Sequence, residues 1–201
     1  MDAVIHQYNA EELNINPYEV LRYLGYVREH ITEKDIEMVE ELVPMAINAM
    51  DPRACESRFC VSIDGDTIMM PYGEIVSHDL GINLSGCDGI YIFAATIGTS
   101  FDRLVRTEML RQKSRGVVIN AIGAAAVEDV CDRVNDELRR EAEKCGKHLR
   151  PRFSPGYGDL TLENQRGIFR MLNPEKNIGL TLKDSLFMAP EKSVTAIIGI
   201  Y

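Results

Sequence analysis

Apolar residues recur along the chain with two periods, and the switches between them mark out its elements. Tyr18, Leu21 and Leu24 fall on one helical face. Asn16-Pro17-Tyr18-Glu19 reads as the start of that helix, with Asn16 as cap, Pro17 at the first helical position and Glu19 placed to reach back to the cap. Gly25 stops it early. Thr32-Glu33-Lys34-Asp35 opens a second helix with Ile36, Val39, Leu42, Val43 and Ala46 on its inner side, ending before Pro52.

The period then shortens. "RFCVSI", Asp64-Gly65 and "TIMM" read as a hairpin with a tight turn, and Gly89 to Gly98, "GIYIFAATIG", reads as a buried strand. Helical spacing returns from Phe101 to about Lys144, with a break near Ser114. Its second half places Val127, Val130, Cys131, Val134 and Leu138 inward and stops at Gly146. A helix beginning near Thr161, with Ile168, Phe169 and Leu172 inward, ends at Asn173-Pro174. "SVTAIIGI" closes the chain as a strand that completes the sheet begun before residue 100. Helices, strands, helices and a last strand predict a single α+β domain: a mainly antiparallel twisted sheet with flanking helices, residues 1–50 forming a helical N-terminal part and 55–201 the sheet and ligand-binding part.

Composition narrows the function classes. The chain has 201 residues, 45% hydrophobic and 26% charged, enough for one substantial core. A formal charge of −9 disfavours nucleic acid and anionic membrane surfaces as partners. No apolar run reaches the ~20 residues of a membrane span, and no secretory signal opens the chain, so a cytoplasmic location is expected. Five cysteines without a C-x-x-C pair suit reduced thiols, and the one close pairing of Cys145 with His148 does not make a metal site. G-x-G-x-x-G, the P-loop, G-x-S-x-G and H-E-x-x-H motifs are missing, which leaves no support for a self-contained hydrolase or metalloenzyme.

The stretch from Arg152 to Gln165, "RFSPGYGDLTLENQ", stands apart. Pro155 fixes its own φ and pushes Ser154 toward extended geometry, while Gly156 and Gly158 let the backbone on either side of Tyr157 approach a ligand closely. Arg152 offers a planar fork suited to a carboxylate. Asp159 and Thr161 are both placed to cap the next helix. An ordinary Pro/Gly turn beside a surface arginine has the same composition, and composition does not choose between the two.

"RFSPGYGD" resembles the R-x-x-P-G-Y signature of the reactivation domain of cobalamin-dependent methionine synthase. "AATIG" before a helix, "AIGAAAVEDVCD" before the loop and "LFMAPEKSVTAIIGI" at the end are similar to segments of that family in the same order. The likeness covers roughly residues 90–200, with "PYEVLRYLGY" as a looser N-terminal match. It implies that the loop binds S-adenosylmethionine (AdoMet). By position, Arg152 would hold the carboxylate, Ser154 and Gly156 would contact the ligand through backbone groups, Pro155 would shape the loop, and Tyr157 would face the corrin. Glu128 corresponds to a family glutamate that holds the ammonium or sulfonium side; pairing with an arginine at the rim is its other available role. Ala124, Ala125 and Cys131 beside it are small and leave room.

Two positions depart from the family. Its ligand-contacting tyrosine corresponds to Ile198, with Tyr201 displaced from that place, and its N-terminal aspartate has only Asn14 and Asn16 as polar neighbours. The resemblance further implies no side-chain nucleophile and no metal of the chain's own. Upstream folate, homocysteine and cobalamin modules and a D-x-H-x-x-G signature are missing from the sequence. Action in trans is therefore expected: the cobalamin carried by a separate methionine synthase lacking its own reactivation domain, the electron from a flavodoxin- or ferredoxin-like donor, and reductive methylation of cob(II)alamin as the outcome. A sensor or interaction module that binds AdoMet without catalysis, and a reactivator of another corrinoid methyltransferase, remain as alternatives.

Overall fold

Side-chain alternation along four paired strands divides the interior into two layers. The computed structural model describes residues 3–201. In chain order it contains β1 (Val4–Gln7), α1 (Pro17–Tyr23), α2 (Glu33–Asn48), β2 (Arg53–Cys60), β3 (Ser62–Asp64), β4 (Thr67–Met70), β5 (Gly73–Val76), α3 (His78–Asn83) and β6 (Gly89–Thr96). Then come α4 (Thr99–Arg111), α5 (Lys113–Lys144), α6 (Asn164–Leu172), α7 (Pro174–Ile178), β7 (Thr181–Leu182), β8 (Met188–Ala189) and β9 (Ser193–Ile200).

The main sheet has the order β1-β2-β6-β9, with every neighbour antiparallel. The fold is α+β, as the order of elements predicts. Every residue of β6 is buried, because helices or loops cover both faces and strands flank both edges. Tyr91, Phe93 and Ala95 face one layer with Ala196, Ile198 and Ile200 of β9, against α1, α2 and α5. Ile90, Ile92, Ala94 and Ile197 face the other, against α6, α7, α3 and the small β3-β4-β5 sheet.

Five of the local expectations come out differently. The N-terminal part also supplies an edge strand, β1, alongside its helices. "RFCVSI" is split, its first half ending β2 in the main sheet and its second half starting β3 in the small one. The hairpin turn is Gly65-Asp66, since Asp64 pairs with Thr67 and Gly65 takes a φ of 59°. Glu19 does not reach back to the Asn16 cap but pairs with Arg22 at 2.6 Å. Asn173-Pro174 does end α6, yet Pro174 immediately starts α7, the first-turn place where a missing N–H costs nothing. The long helical run breaks at Gln112, and its buried residues include all five predicted inner positions.

Candidate functional site

Helix α5 ends where Gly146, at a φ of 67°, lets Lys147 N–H turn back to the Ala142 carbonyl. The chain then runs beside β9, the sheet's outer strand. His148 exchanges backbone hydrogen bonds with Tyr201, and Phe153 does so with Ile197 at 2.8 Å in each direction. Between these pairs the added segment holds one residue more than β9, since Leu149 lies opposite Ile200 and Phe153 opposite Ile197. That bulge turns the chain off the sheet after Phe153.

Two consecutive tight turns follow. Tyr157 N–H bonds the Ser154 carbonyl at 3.1 Å around Pro155 and Gly156, and Gly156 has a φ of 96°. Pro then Gly at the centre of a turn is the type II arrangement. Leu160 N–H bonds the Tyr157 carbonyl around Gly158 and Asp159, and Gly156 N–H bonds the Leu160 carbonyl at 2.7 Å. Asp159 then leaves the loop for a different element: it accepts from the Ser77 hydroxyl at 2.5 Å and from His78 N–H at 2.7 Å, at the start of α3. The expectation that Asp159 and Thr161 cap the following helix is thereby corrected. α6 begins at Asn164, whose side-chain amide donates to Thr161.

At the other end, Arg152 donates from Nη2 to Glu128 Oε2 at 2.8 Å and from Nη1 to Asp132 Oδ1 at 2.7 Å. Burial alone would lower the guanidinium's affinity for its proton. The Asp132 hydrogen bond and the surrounding negative charge outweigh burial and hold it above its usual value. Two of its five N–H groups are engaged in these contacts, so the fork keeps donors for a further anion.

Departure of the loop from β9 leaves a cavity of about 450 Å³ against the strand, within the ~300–1,000 Å³ of small-molecule sites. Glu128, Arg152, Ser154, Pro155 and Tyr157 line it. Five of the six residues singled out in the sequence therefore share one wall system. Gly156 is the exception: its N–H is occupied by Leu160, and it shapes the turn from behind. The Tyr157 side chain, on a residue 71% exposed, is free to lie across the mouth.

Other expectations about the surroundings need correcting. Ala125 and Cys131 point into the helical core, whereas Ala124, one turn before Glu128, is half-buried and lies outside it; burial pushes the Cys131 thiol up, far from a reactive thiolate. Ile198 is fully buried under the helices, outside the cavity. Tyr201 stacks obliquely on His148 beneath Arg150. Asn16 caps α1, while Asn14 N–H donates to Asp129 on α5 at 3.2 Å, next to Glu128 without lining the cavity.

Sequence reasoning missed the far side: Gln165 on α6, Met188 on β8, and Ser193 and Thr195 on β9. Only Gln165 lay in the stretch first singled out. Ile197 directs its N–H and C=O at Phe153, away from β6, and alternation along the strand makes Thr195 do the same. Among the described residues no strand lies opposite Thr195, so its peptide faces the cavity.

The described residues include no helix long and apolar enough to cross a membrane, and no cluster of three His, Cys, Asp or Glu side chains placed to hold a metal ion. No family model matches the chain, and no curated protein matches it. Among solved structures, the fold is similar to a crystal structure of the MetH reactivation domain bound to AdoHcy, with a TM-score of 0.73 and 15% sequence identity over 99% of this chain and 78% of that one. That likeness establishes a shared fold over essentially the whole chain.

Proposed function

We propose that the chain binds AdoMet in the cavity at the β9 edge and supports reductive methylation of cob(II)alamin held by a separate methionine synthase. The observation that carries the reading is the convergence of Arg152, Glu128, Ser154, Pro155 and Tyr157 on one cavity. It stands in a fold shared with a domain solved with AdoHcy.

The chemistry of the lining fits such a ligand. Arg152 keeps N–H donors for an α-carboxylate, and Glu128 and Asp132 offer negative charge to an ammonium or sulfonium. Tyr157 stands at the mouth, where a ring can shield the methyl group from water while leaving one side open. AdoMet supplies the methyl group when bound. The chain's own part is positioning: it fixes the carboxylate end and orients the sulfonium outward. One electron from a flavodoxin- or ferredoxin-like protein reduces the partner's cobalt, the methyl group moves to it, and AdoHcy is released. Cys131 lies outside the cavity, with its thiol pushed up by burial, and takes no part.

Calorimetric titration of AdoMet tests the binding half. Arg152→Ala should weaken binding by tenfold or more, about 1.4 kcal/mol, and Arg152→Lys should recover part of the charge but not the fork. The catalytic half is tested by adding a cobalamin-loaded methionine synthase and a reductant. Methyl transfer that depends on this chain supports the proposal; binding without transfer to any corrinoid partner would leave a sensor of AdoMet instead.

A further inference from the structure

The outer face of α4 gathers positive charge on an otherwise acidic chain. Residues 103–115 hold five cations, Arg103, Arg106, Arg111, Lys113 and Arg115, and one carboxylate, Glu108, a net of +4 that leaves −13 on the rest. The carboxylates beside them turn inward. Glu108 is buried and accepts from Arg111 and Arg115, and Asp102 is buried and accepts from Glu191 N–H. Arg115 also reaches Glu41 on α2 at 3.5 Å, which marks the border of the patch. Arg103, Arg106 and Lys113 are exposed and pair with no carboxylate among the described residues. Arg103, Arg106, Thr107, Leu110 and Arg111 repeat at the i, i+3, i+4, i+7, i+8 spacing of one helix face, here turned to solvent. Leu110, 90% exposed, sits among these cations. A lone exposed leucine needs no explanation; an apolar side chain inside a rim of arginines has the composition of a protein interface.

We infer that the outer face of α4 is the docking surface for an acidic electron-carrier protein, with Arg103 and Arg106 meeting its carboxylates and Leu110 packing on its surface. The class of partner rests on the reading above, which requires an electron donor; the charge of the surface stands without it. A nucleic-acid duplex or an anionic membrane presents its field to the whole molecule, and the −13 elsewhere opposes it. A protein with a local acidic patch meets the strip alone. Leu110 finds apolar contact on a protein and none on a phosphate backbone. The strip is about 20 Å long, the length of 13 helical residues. That length suits the small, transient contacts of electron carriers, which bury less than about 1,200 Å². Its place suits them too. Phe101 of α4 packs against Gly123 of α5, five residues or about 7.5 Å along the helix from Glu128 in the cavity wall. A carrier on α4 stands beside the cavity, and Tyr157 at the mouth stays available to the corrinoid protein.

The test measures binding of a flavodoxin and of a plant-type ferredoxin to the intact chain, at low salt and at about 1 M salt, where charges are screened beyond about 3 Å. At least one carrier should bind at low salt and lose most of its affinity at the higher concentration. Arg103→Glu combined with Arg106→Glu should slow association and weaken binding about tenfold or more. Leu110→Ser should speed dissociation and leave the salt dependence unchanged. Arg170→Glu combined with Lys176→Glu makes the same change in net charge on α6 and α7, across the sheet, and should weaken binding no more than about twofold. AdoMet titration should be unchanged in every variant, which also shows that each one folds. Equal losses in the two double variants, or no binding of either carrier at low salt, overturn the docking surface, and AdoMet binding that persists leaves the cavity reading standing. Carrier binding that depends on α4 in a chain that does not bind AdoMet supports the surface and overturns the cavity reading. The surface is also overturned if the α4 arginines are needed instead for binding a DNA duplex or phosphatidylserine vesicles, or for self-association, while neither carrier binds.

Discussion

Asp159 and His6 hold distant parts of the chain together through single side chains, and they titrate in opposite directions. The Ser77 hydroxyl first, then the His78 and Asp79 N–H groups, hold the Asp159 carboxyl below its ordinary value. Its tie between the loop and α3 is therefore present above the usual aspartate range, near 3.9, and is lost as pH falls through the lower folded value. His6 on β1 lies between Glu56 on β2 and Glu137 on α5, with the Tyr8 hydroxyl also donating to Glu137. Those carboxylates, Glu56 foremost, raise the imidazole against the lowering effect of burial. The stabilisation from His6 is complete below its unfolded value, about 6.5, and fades as pH rises through the higher folded value. Thermal melts across pH should show stability declining on both sides of a plateau. Asp159→Asn should flatten the acid limb and His6→Gln the alkaline limb; an alkaline limb unchanged in His6→Gln would refute the assignment.

Between elements, the tightest approach is α4 against α5. A Cβ on Gly123 would overlap the ring of Phe101, which is fully buried and has no room to move, and one on Gly116 would meet Met109. Gly123→Ala gains up to about 1 kcal/mol of helix propensity but overpacks the interface by roughly 1–3 kcal/mol. The clash should win, and urea melts should show net destabilisation of about 1 kcal/mol or more. Elements of this kind were legible in the sequence because their periods are long: α5 over 32 residues, and β6 and β9 over eight each. Short elements were not. β1 has exposed Val4 and Ile5 with no alternation to detect, and α3 is six residues whose first-turn N–H groups are held by Asp159, some eighty positions away. The same division runs through the site. Arg152 and the Pro/Gly turn announce themselves locally, whereas Gln165 and the Thr195 peptide matter only because the loop leaves β9 where it does.

Taken as a whole, the molecule is acidic, with a formal charge of −9, and its cavity repeats that bias locally. Arg152 faces two carboxylates, Glu128 and Asp132. AdoMet carries one more positive charge than AdoHcy, so the local field favours the first. Both carboxylates are substantially exposed, with side chains 44% and 67% accessible, so solvent screening reduces the gain to about 1 kcal/mol or less. Under the proposed function, AdoMet should bind a few-fold more tightly than AdoHcy at low ionic strength. The advantage should shrink toward parity in 1 M salt, where the Debye length falls to about 3 Å, and Asp132→Asn should remove part of it. Competition titrations at two salt concentrations measure this directly. Equal affinities at low salt, or a preference that salt leaves untouched, would mean that shape alone sets the order. A few-fold preference also suits the turnover proposed here: the bound cation becomes neutral when it gives up its methyl group, the attraction to Glu128 and Asp132 falls with that charge, and fresh cation displaces the product without any change in the fold.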